Sequence, residues 1–290
     1  MGQDEVRRIV RGSMLGIEMP SIDRWSERVA VVLGQNPGPF TGPGTNTFIV
    51  GTGKKRLLID TGDGRAEYGD LVERALTGLC GGCRIETIAV THAHPDHIGG
   101  VETVRGQHGA ARVWKKPAGD RDRGLPVEPI TEGDEIEVEG ATLRALWTPG
   151  HSPDHLCFYL PQERALFTGD LILGAGTTVI PAEGNVADYI ASLERLLGLD
   201  ISVIYPGHGP PIRNAHEKIR DYIAHRRLRE QQILSVLARG PSLVAEIVAA
   251  IYTDVPEFLH PAAALSVEAH LRKLAAEGRA VEEPSGWRLK

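Results

Sequence analysis

Three cysteines in 290 residues, Cys80, Cys83 and Cys157, are too few for a disulfide framework, which fits a reducing compartment. No run approaches the roughly 18 apolar residues needed to cross a bilayer, so no membrane partner is expected. The first residues carry Asp4 and Glu5 and contain no apolar signal core, so a cytoplasmic location is expected. Position 6 is Val where N-myristoylation wants Ser or Thr, which argues against Gly2 as a lipid site. Internal repeats and low-complexity linkers are also lacking. The pair Cys80 and Cys83 has no second ligand pair for a structural zinc. It lies outside any thioredoxin-like strand-helix-strand pattern, and reads as a Gly-rich helix-to-strand connection.

What is present is a chain long enough for one large core or for a core with a small appendage, with 41% hydrophobic and 24% charged residues. The net charge of −6 is uneven: residues 1–212 carry 20 Lys and Arg against 28 Asp and Glu, while residues 213–290 carry 12 against 10. An acidic body with a slightly basic tail is a weak pointer to a polyanion.

Short apolar or β-branched runs at 29–33, 47–50, 56–59, 87–90, 136–148, 156–160, 164–168 and 202–205 predict strands separated by Gly and Pro turns. Leu71, Val72, Ala75, Leu76 and Leu79 predict a helix over 65–79, and a second is expected near 186–198. The expected body, residues 1–212, is therefore a layered α+β fold. After Pro210-Pro211 the pattern becomes helical at 215–238, 242–252 and 261–277, followed by two strand candidates joined by Pro284-Ser285-Gly286. Residues 213–290 thus read as a winged-helix-like module packed on the body.

The chemistry is concentrated in Thr91-His92-Ala93-His94-Pro95-Asp96-His97-Ile98-Gly99-Gly100, directly after an apolar run. Three imidazoles and a carboxylate in so short a loop suit a borderline ion such as Zn²⁺, and can serve two ions but hardly crowd around one. The remaining ligands must come from elsewhere. His151, Asp170 and His208 each end a strand-like run, and each is preceded by Gly, which lets the backbone approach a cluster without a side-chain clash.

These residues resemble the metallo-β-lactamase superfamily, whose pattern HxHxDH, then His, Asp and His, is matched in order. The resemblance implies an αββα sandwich in which His92, His94 and His151 bind the first of two divalent metal ions, most simply Zn²⁺. Asp96, His97 and His208 would bind the second, with Asp170 bridging. The segments 37–53, 169–178 and 204–234 further resemble a lactamase-like endoribonuclease of mitochondria and its bacterial relatives, a branch that also carries a C-terminal winged-helix-like domain.

The resemblance implies a hydrolase that uses a metal-bridging hydroxide, with Asp96 orienting it and accepting its proton, and His208 on the leaving-group side. Asp60 is expected to support a metal-bound imidazole, His155 to be a hydrogen-bonded histidine near the rim, and Asn46, Thr177 and Thr178 to lie near the cleft. Single-stranded RNA is the expected substrate. Arg220, Arg226, Arg227 and Arg229 either supply phosphate contacts or form a solvated face with Asp221 and Glu230. The alternative is a thioesterase or other acyl-ester or lactone hydrolase, which a hydrophobic tunnel beside the metals would favour. A non-catalytic metal-binding protein is disfavoured, since all seven ligands are present. Elemental analysis of the purified protein is expected to find about two divalent ions per chain; a sample that takes up none would refute the reading.

Overall fold

The computed structural model describes residues 16–109 and 111–290. Asp4, Glu5 and Gly2, read above for targeting and lipidation, lie outside the described residues. The chain runs β1 (Ile22–Arg24), β2 (Val29–Leu33), β3 (Asn46–Val50), β4 (Lys55–Ile59), α1 (Ala66–Cys80), β5 (Arg84–Ala89), α2 (Pro95–Ile98), α3 (Val101–His108), β6 (Arg112–Lys115) and β7 (Glu128–Pro129). It continues through β8 (Glu135–Val138), β9 (Ala141–Trp147), β10 (Leu156–Leu160), β11 (Ala165–Phe167), α4 (Val186–Leu196) and β12 (Val203–Tyr205). The tail holds α5 (Ala215–Leu237), α6 (Val244–Ile251), α7 (His260–Ala276), β13 (Ala280–Glu283) and β14 (Gly286–Leu289).

Strands β1 to β7 form one sheet in sequence order, and β12-β11-β10-β9-β8 form a second. The first three pairings are antiparallel and the next three parallel, because the crossovers after β4 and β5 are helical. Alternation along each strand sends side chains to two different cores. Val29, Val31, Phe48, Val50, Leu57 and Ile59 face the second sheet and meet Leu143, Phe158, Phe167 and Tyr205. Their neighbours Val32, Ile49 and Leu58 face α1 and α3. Strands buried on both sides read as continuous apolar runs, which is why β2, β3 and β4 were visible in the sequence. On the far side of the second sheet, Leu146, Leu166 and Ile204 pack against Tyr189, Leu193, Ile219 and Tyr222. The layers are therefore helix, sheet, sheet, helix, as expected.

Local signals account for the helix ends. In α1 the Gly81 N–H bonds to Thr77 O with φ of 49°, and Asn185 caps α4 by accepting from the backbone of Ala187 and Asp188. The connection from α1 to β5 is the Gly-rich turn expected, although Cys83 within it is disulfide-bonded. The apolar run at 136–148 is a hairpin of two strands turning at Gly140 rather than one strand. Three short strands and two short helices had no readable period. In β6, for example, the inward positions are Val113 and Lys115, and an inward lysine breaks the apolar pattern.

Helix α5 joins body and tail. Its first half, through Ile219, Tyr222 and Ile223, belongs to the body's outer core, while Ile233 and Leu237 pack with Ile247, Val267 and Leu271 in the tail. The hairpin β13–β14 closes the tail, and Ser242 pairs with Trp287 at its edge. Among the described residues no helix is long and apolar enough to cross a membrane.

One buried ionic cluster ties strand β6 to the loops at the sheet edge. Lys115 Nζ lies 2.8 Å from Asp122 and 2.7 Å from Asp154, and Asp154 also accepts from the Ala93 backbone at 2.9 Å and from Ser152 Oγ. Burial alone would raise the Asp154 pKa, but Lys115 and its other donors outweigh it and hold the carboxyl below its usual value. A depressed folded pKa means that this stabilisation is complete above the unfolded carboxyl range and is lost as pH falls towards the folded value. Asp154→Asn is expected to lower stability by about 3 kcal/mol, because it leaves Lys115 half-paired in the interior, and to flatten the acid limb of the stability curve. Denaturant titrations at several pH values check this; an unchanged acid limb would show that Asp154 does not supply it.

Candidate functional site

The seven residues singled out in the sequence meet at one edge of the sandwich. His92 follows β5, His151 follows β9, Asp170 follows β11 and His208 follows β12. His94 is the residue before α2, and Asp96 and His97 lie within it, so this part of the motif is a helical turn rather than an open loop. The turn starts at Pro95, whose missing N–H costs nothing at the first helical position.

Two groups emerge with ligand atoms mutually within 4.8 Å: His92, His94, His151 and Asp170 form one, and Asp96, His97 and His208 the other. In the first, His94 Nδ1 lies 2.9 Å from His92 Nε2 and 3.0 Å from His151 Nε2. In the second, Asp96 Oδ2 lies 3.3 Å from both His97 Nε2 and His208 Nε2. Asp170 faces both groups, with Oδ1 at 3.1 Å from His208 and 3.3 Å from His97, and Oδ2 at 3.6 Å from His151.

Donors around one tetrahedral ion at about 2.0–2.1 Å sit roughly 3.3 Å apart, so these spacings suit a cation at each focus. The orphaned polar atoms agree. His97 Nε2 and Asp170 Oδ1 are buried without a hydrogen-bond partner, and both point into the cluster. The residues present therefore fit divalent cations.

The outward nitrogens of four histidines are held. His97 Nδ1 meets Asp60 at 2.7 Å, His94 Nε2 meets Glu183 at 2.9 Å, His151 Nδ1 donates to Val179 O at 2.8 Å, and His92 Nδ1 meets Thr91 Oγ1 at 3.0 Å. Such partners fix ring orientation and raise ligand basicity. Asp60 thus takes the supporting place expected of it. It also accepts from the Thr91 backbone at 2.8 Å and adopts a left-handed φ of 58°, a strained conformation for a non-glycine residue.

Acid and base character is set by burial and neighbours. Burial lowers His92, His151 and His155, the last two to about 4 and about 3, so these imidazoles are neutral. Burial would also lower His208, but Asp170 and Asp96 outweigh it and push the imidazole up to about 9. His97 is raised in the same way by Asp96, Asp170 and Asp60. Burial opposes ionisation of both carboxylates, yet His97 and His208 hold Asp96 and Asp170 below their usual range.

Other expectations are corrected. His155 is fully buried rather than at the rim: its Nε2 accepts from the Asp170 N–H at 3.2 Å and its Nδ1 meets Thr148 at 2.9 Å. It holds the backbone of Asp170 and belongs to neither ligand group. Asn46 is also wholly buried and braces the loop around His208, donating to Pro206 O and Gly209 O at 2.8 Å each. Thr177 and Thr178 do line the cleft, and Thr178 Oγ1 donates to Asp170 O at 2.8 Å. Gly207 and Gly150, each next to a histidine of the cluster, leave no room for a side chain. A Cβ at Gly207 would stand 2.9 Å from Asp170 Oδ1, and one at Gly150, where φ is 137°, would fall 2.3 Å from the Tyr189 Cα.

Sequence reasoning missed Glu183 and Asp154. Glu183 sits 89 residues from His94 in an ordinary polar turn, and Asp154, three residues after His151, clamps the Ala93 backbone. Only Ser152-Pro153-Asp154, next to a ligand, offered a hint. The four tail arginines do not share a face: Arg226 and Arg229 are buried, Arg220 is exposed, and Arg227 pairs with Glu194 at 2.6 Å.

A cavity of about 510 Å³ opens on the cluster and runs between body and tail. Arg272 and Ser266 of α7 reach Pro181 O and Ile180 N, seating the tail on the loop that carries Thr178 and Glu183.

The model of the metallo-beta-lactamase superfamily matches residues 40–208, and that of the beta-lactamase associated winged helix domain matches residues 244–287. A beta-lactamase-like protein 2 homolog of Caenorhabditis elegans is 39% identical over 91% of this chain and 89% of its own. A protein of Aspergillus novofumigatus named atrochrysone carboxyl ACP thioesterase is 39% identical over 90% and 82%. Among solved structures, a metallo-beta-lactamase family protein of Thermus thermophilus aligns with a TM-score of 0.73 at 26% identity, covering 94% of this chain and 99% of that one. With more than half of its length matched by the family model and these relatives aligned along nine tenths of it, the chain belongs to the metallo-beta-lactamase superfamily and is a hydrolase of that fold.

Proposed function

We propose that the protein is a dinuclear, zinc-dependent hydrolase of acyl thioesters or related acyl esters. The observation that carries this reading is the character of the cavity. It reaches His94, Asp96, His151, Asp170 and His208, and its walls include Leu173, Ala175, Val179, Val255 and Leu259. A concave space of this size takes a small organic molecule, and apolar walls favour an acyl chain by about 0.8 kcal/mol per buried methylene. Single-stranded RNA instead needs an open basic groove with stacking platforms. Two of the four arginines that would line such a groove are buried and a third is paired. The thioesterase named among the relatives points the same way.

In this reading His92, His94 and His151 hold one ion, Asp96, His97 and His208 hold the other, and Asp170 serves both. Divalent ions bound there supply Lewis acidity and a water of lowered pKa. Asp96, fixed by a hydrogen bond from Thr45 Oγ1 at 3.2 Å, stays ionised and is placed to orient the attacking water and accept its proton. Water oxygen adds to the carbonyl carbon, the C–S or C–O bond breaks, and the proton passes to the departing thiolate or alkoxide. His208 stands on the side where that group leaves. The apolar walls hold the acyl chain and exclude bulk water.

The zinc-loaded protein is expected to release free thiol from acyl thioesters, read with a thiol reagent, and to leave single-stranded RNA intact. Internal cuts in RNA by a preparation inert on thioesters and esters would reverse the assignment. Asp170→Ala is expected to lower kcat by about 10³-fold or more and to reduce the bound metal, measured by elemental analysis. A chelator is expected to remove activity and added Zn²⁺ to restore it; activity that survives complete metal removal would refute the proposed chemistry.

A further inference from the structure

The cavity carries charge that its apolar walls do not explain. Arg226 and Arg229 sit one turn apart on α5, both line the cavity, and they are only 1% and 5% exposed. Each gives one terminal nitrogen to a main-chain carbonyl, Arg226 to Thr178 O and Arg229 to Ile251 O at 2.7 Å. Each guanidinium also lies over an aromatic ring, Arg226 at 5.0 Å from Tyr189 and Arg229 at 4.2 Å from Tyr252. Arg229 has a further contact, to Gln232 Oε1 at 2.9 Å. What neither has is a carboxylate in contact. Among the described residues no carboxylate oxygen lies within 4.0 Å of either guanidinium, and the Nε of both is buried without a partner.

The nearby acids are engaged or distant. Glu230 pairs with Lys273 at 2.7 Å and Arg279 at 3.1 Å, and Asp254, an exposed residue of the cavity lining, attracts Arg229 only from beyond ion-pair distance and does not offset the effect of its burial. His225, also in the lining, is nearly fully buried with Nδ1 unpartnered, and burial beside these arginines keeps it neutral. Two positive charges therefore stand in a low-dielectric wall with only neutral acceptors in contact. An isolated buried charge is costly unless paired, and a planar guanidinium is matched by the planar fork of a carboxylate or by a phosphate. The structural contacts position the two groups, while leaving donors for a ligand.

We infer that Arg226 and Arg229 form an oxyanion subsite of the cavity, which binds a carboxylate or phosphate carried by the thioester substrate; this deepens the acyl-thioester reading and rests on it. A carboxylate would lie on the acyl group, at the end away from the scissile carbonyl, whereas a phosphate would lie on the thiol arm. The apolar wall and the cationic pair together select an amphipathic anion over a simple fatty acyl chain.

The test uses the full-length, zinc-loaded protein and two matched pairs of thioesters. One pair is an N-acetylcysteamine thioester whose acyl chain ends in a free carboxylate and the same compound as its neutral amide. The other is a neutral acyl group on phosphopantetheine and on pantetheine. In one pair the anionic member is expected to show kcat/KM higher by about ten-fold or more, mainly through KM. Arg229→Gln is expected to remove that preference, lowering kcat/KM for the anionic member much more than for the neutral one, and Arg229→Lys to restore part of it. A preference in the first pair assigns the carboxylate, and in the second the phosphate. Hydrolysis of all four without preference, or a preference that survives Arg229→Gln and Arg226→Gln, overturns the subsite and leaves the thioesterase reading intact. If none of the four is hydrolysed, that reading fails, and the subsite is judged by titration calorimetry with glutarate and inorganic phosphate. Binding by the parent protein that is lost in Arg229→Gln upholds it; no binding, or equal binding by both, overturns it.

Discussion

Five imidazoles and two carboxylates crowd into one buried pocket, and the cost of desolvating them governs the rest of the architecture. Left to themselves such groups would stay in water, since buried polar atoms without partners are expensive. They are tolerated because inward and outward atoms are treated differently. The inward nitrogens and oxygens converge on two foci suited to cations, and four outward nitrogens are taken up by Asp60, Glu183, Val179 and Thr91. Each of those partners must itself be fixed. Asp60 is held in a left-handed backbone conformation at the end of β4, and His155 grips the Asp170 backbone from behind. The two-sheet sandwich provides this rigidity, because five loops leave strand ends along a single edge.

The tail takes part in shaping the site rather than merely following the body. Helix α5 begins in the body's outer core and ends in the tail's own core, so both share one rigid rod. Helix α7 then seats itself on the loop of Thr178 and Glu183 through Ser266 and Arg272. The result is a cavity with the His and Asp cluster at one end, apolar walls, and two arginines without a carboxylate in contact along its side. That combination separates the site from an open nucleic-acid groove, and bears more directly on substrate than the ligand cluster, which many chemistries share.

Legibility in the sequence varied with the range of the interaction. Strands buried on both faces, such as Val29 to Leu33, and the amphipathic α1 and α4 were readable because their periods are local. Strand β6 was not, since Lys115 occupies an inward position and makes sense only beside Asp122 and Asp154. His155 was placed near the rim by its closeness to His151 in the chain and Asn46 near the cleft by the family resemblance, but both are buried and neither lines the cavity. The arginines of α5 look like one basic stretch in the sequence, yet a turn of about 100° per residue sends Arg226 and Arg229 inward and leaves Arg220 outside.

By itself the sequence determined the order of layers, the winged-helix tail and the seven side chains that gather at the sheet edge. Strand periodicity and a dense His/Asp motif are written in neighbouring residues, and the partners His151, Asp170 and His208 announce themselves beside glycines at strand ends. Tertiary structure alone decided which side chains hold those seven from behind, and how the tail and the body enclose the cavity beside them. The physical reason is that coordination spacing, burial and charge compensation depend on distances between residues far apart in the chain, such as Glu183 with His94 and Arg226 with Thr178, and no local pattern encodes those distances.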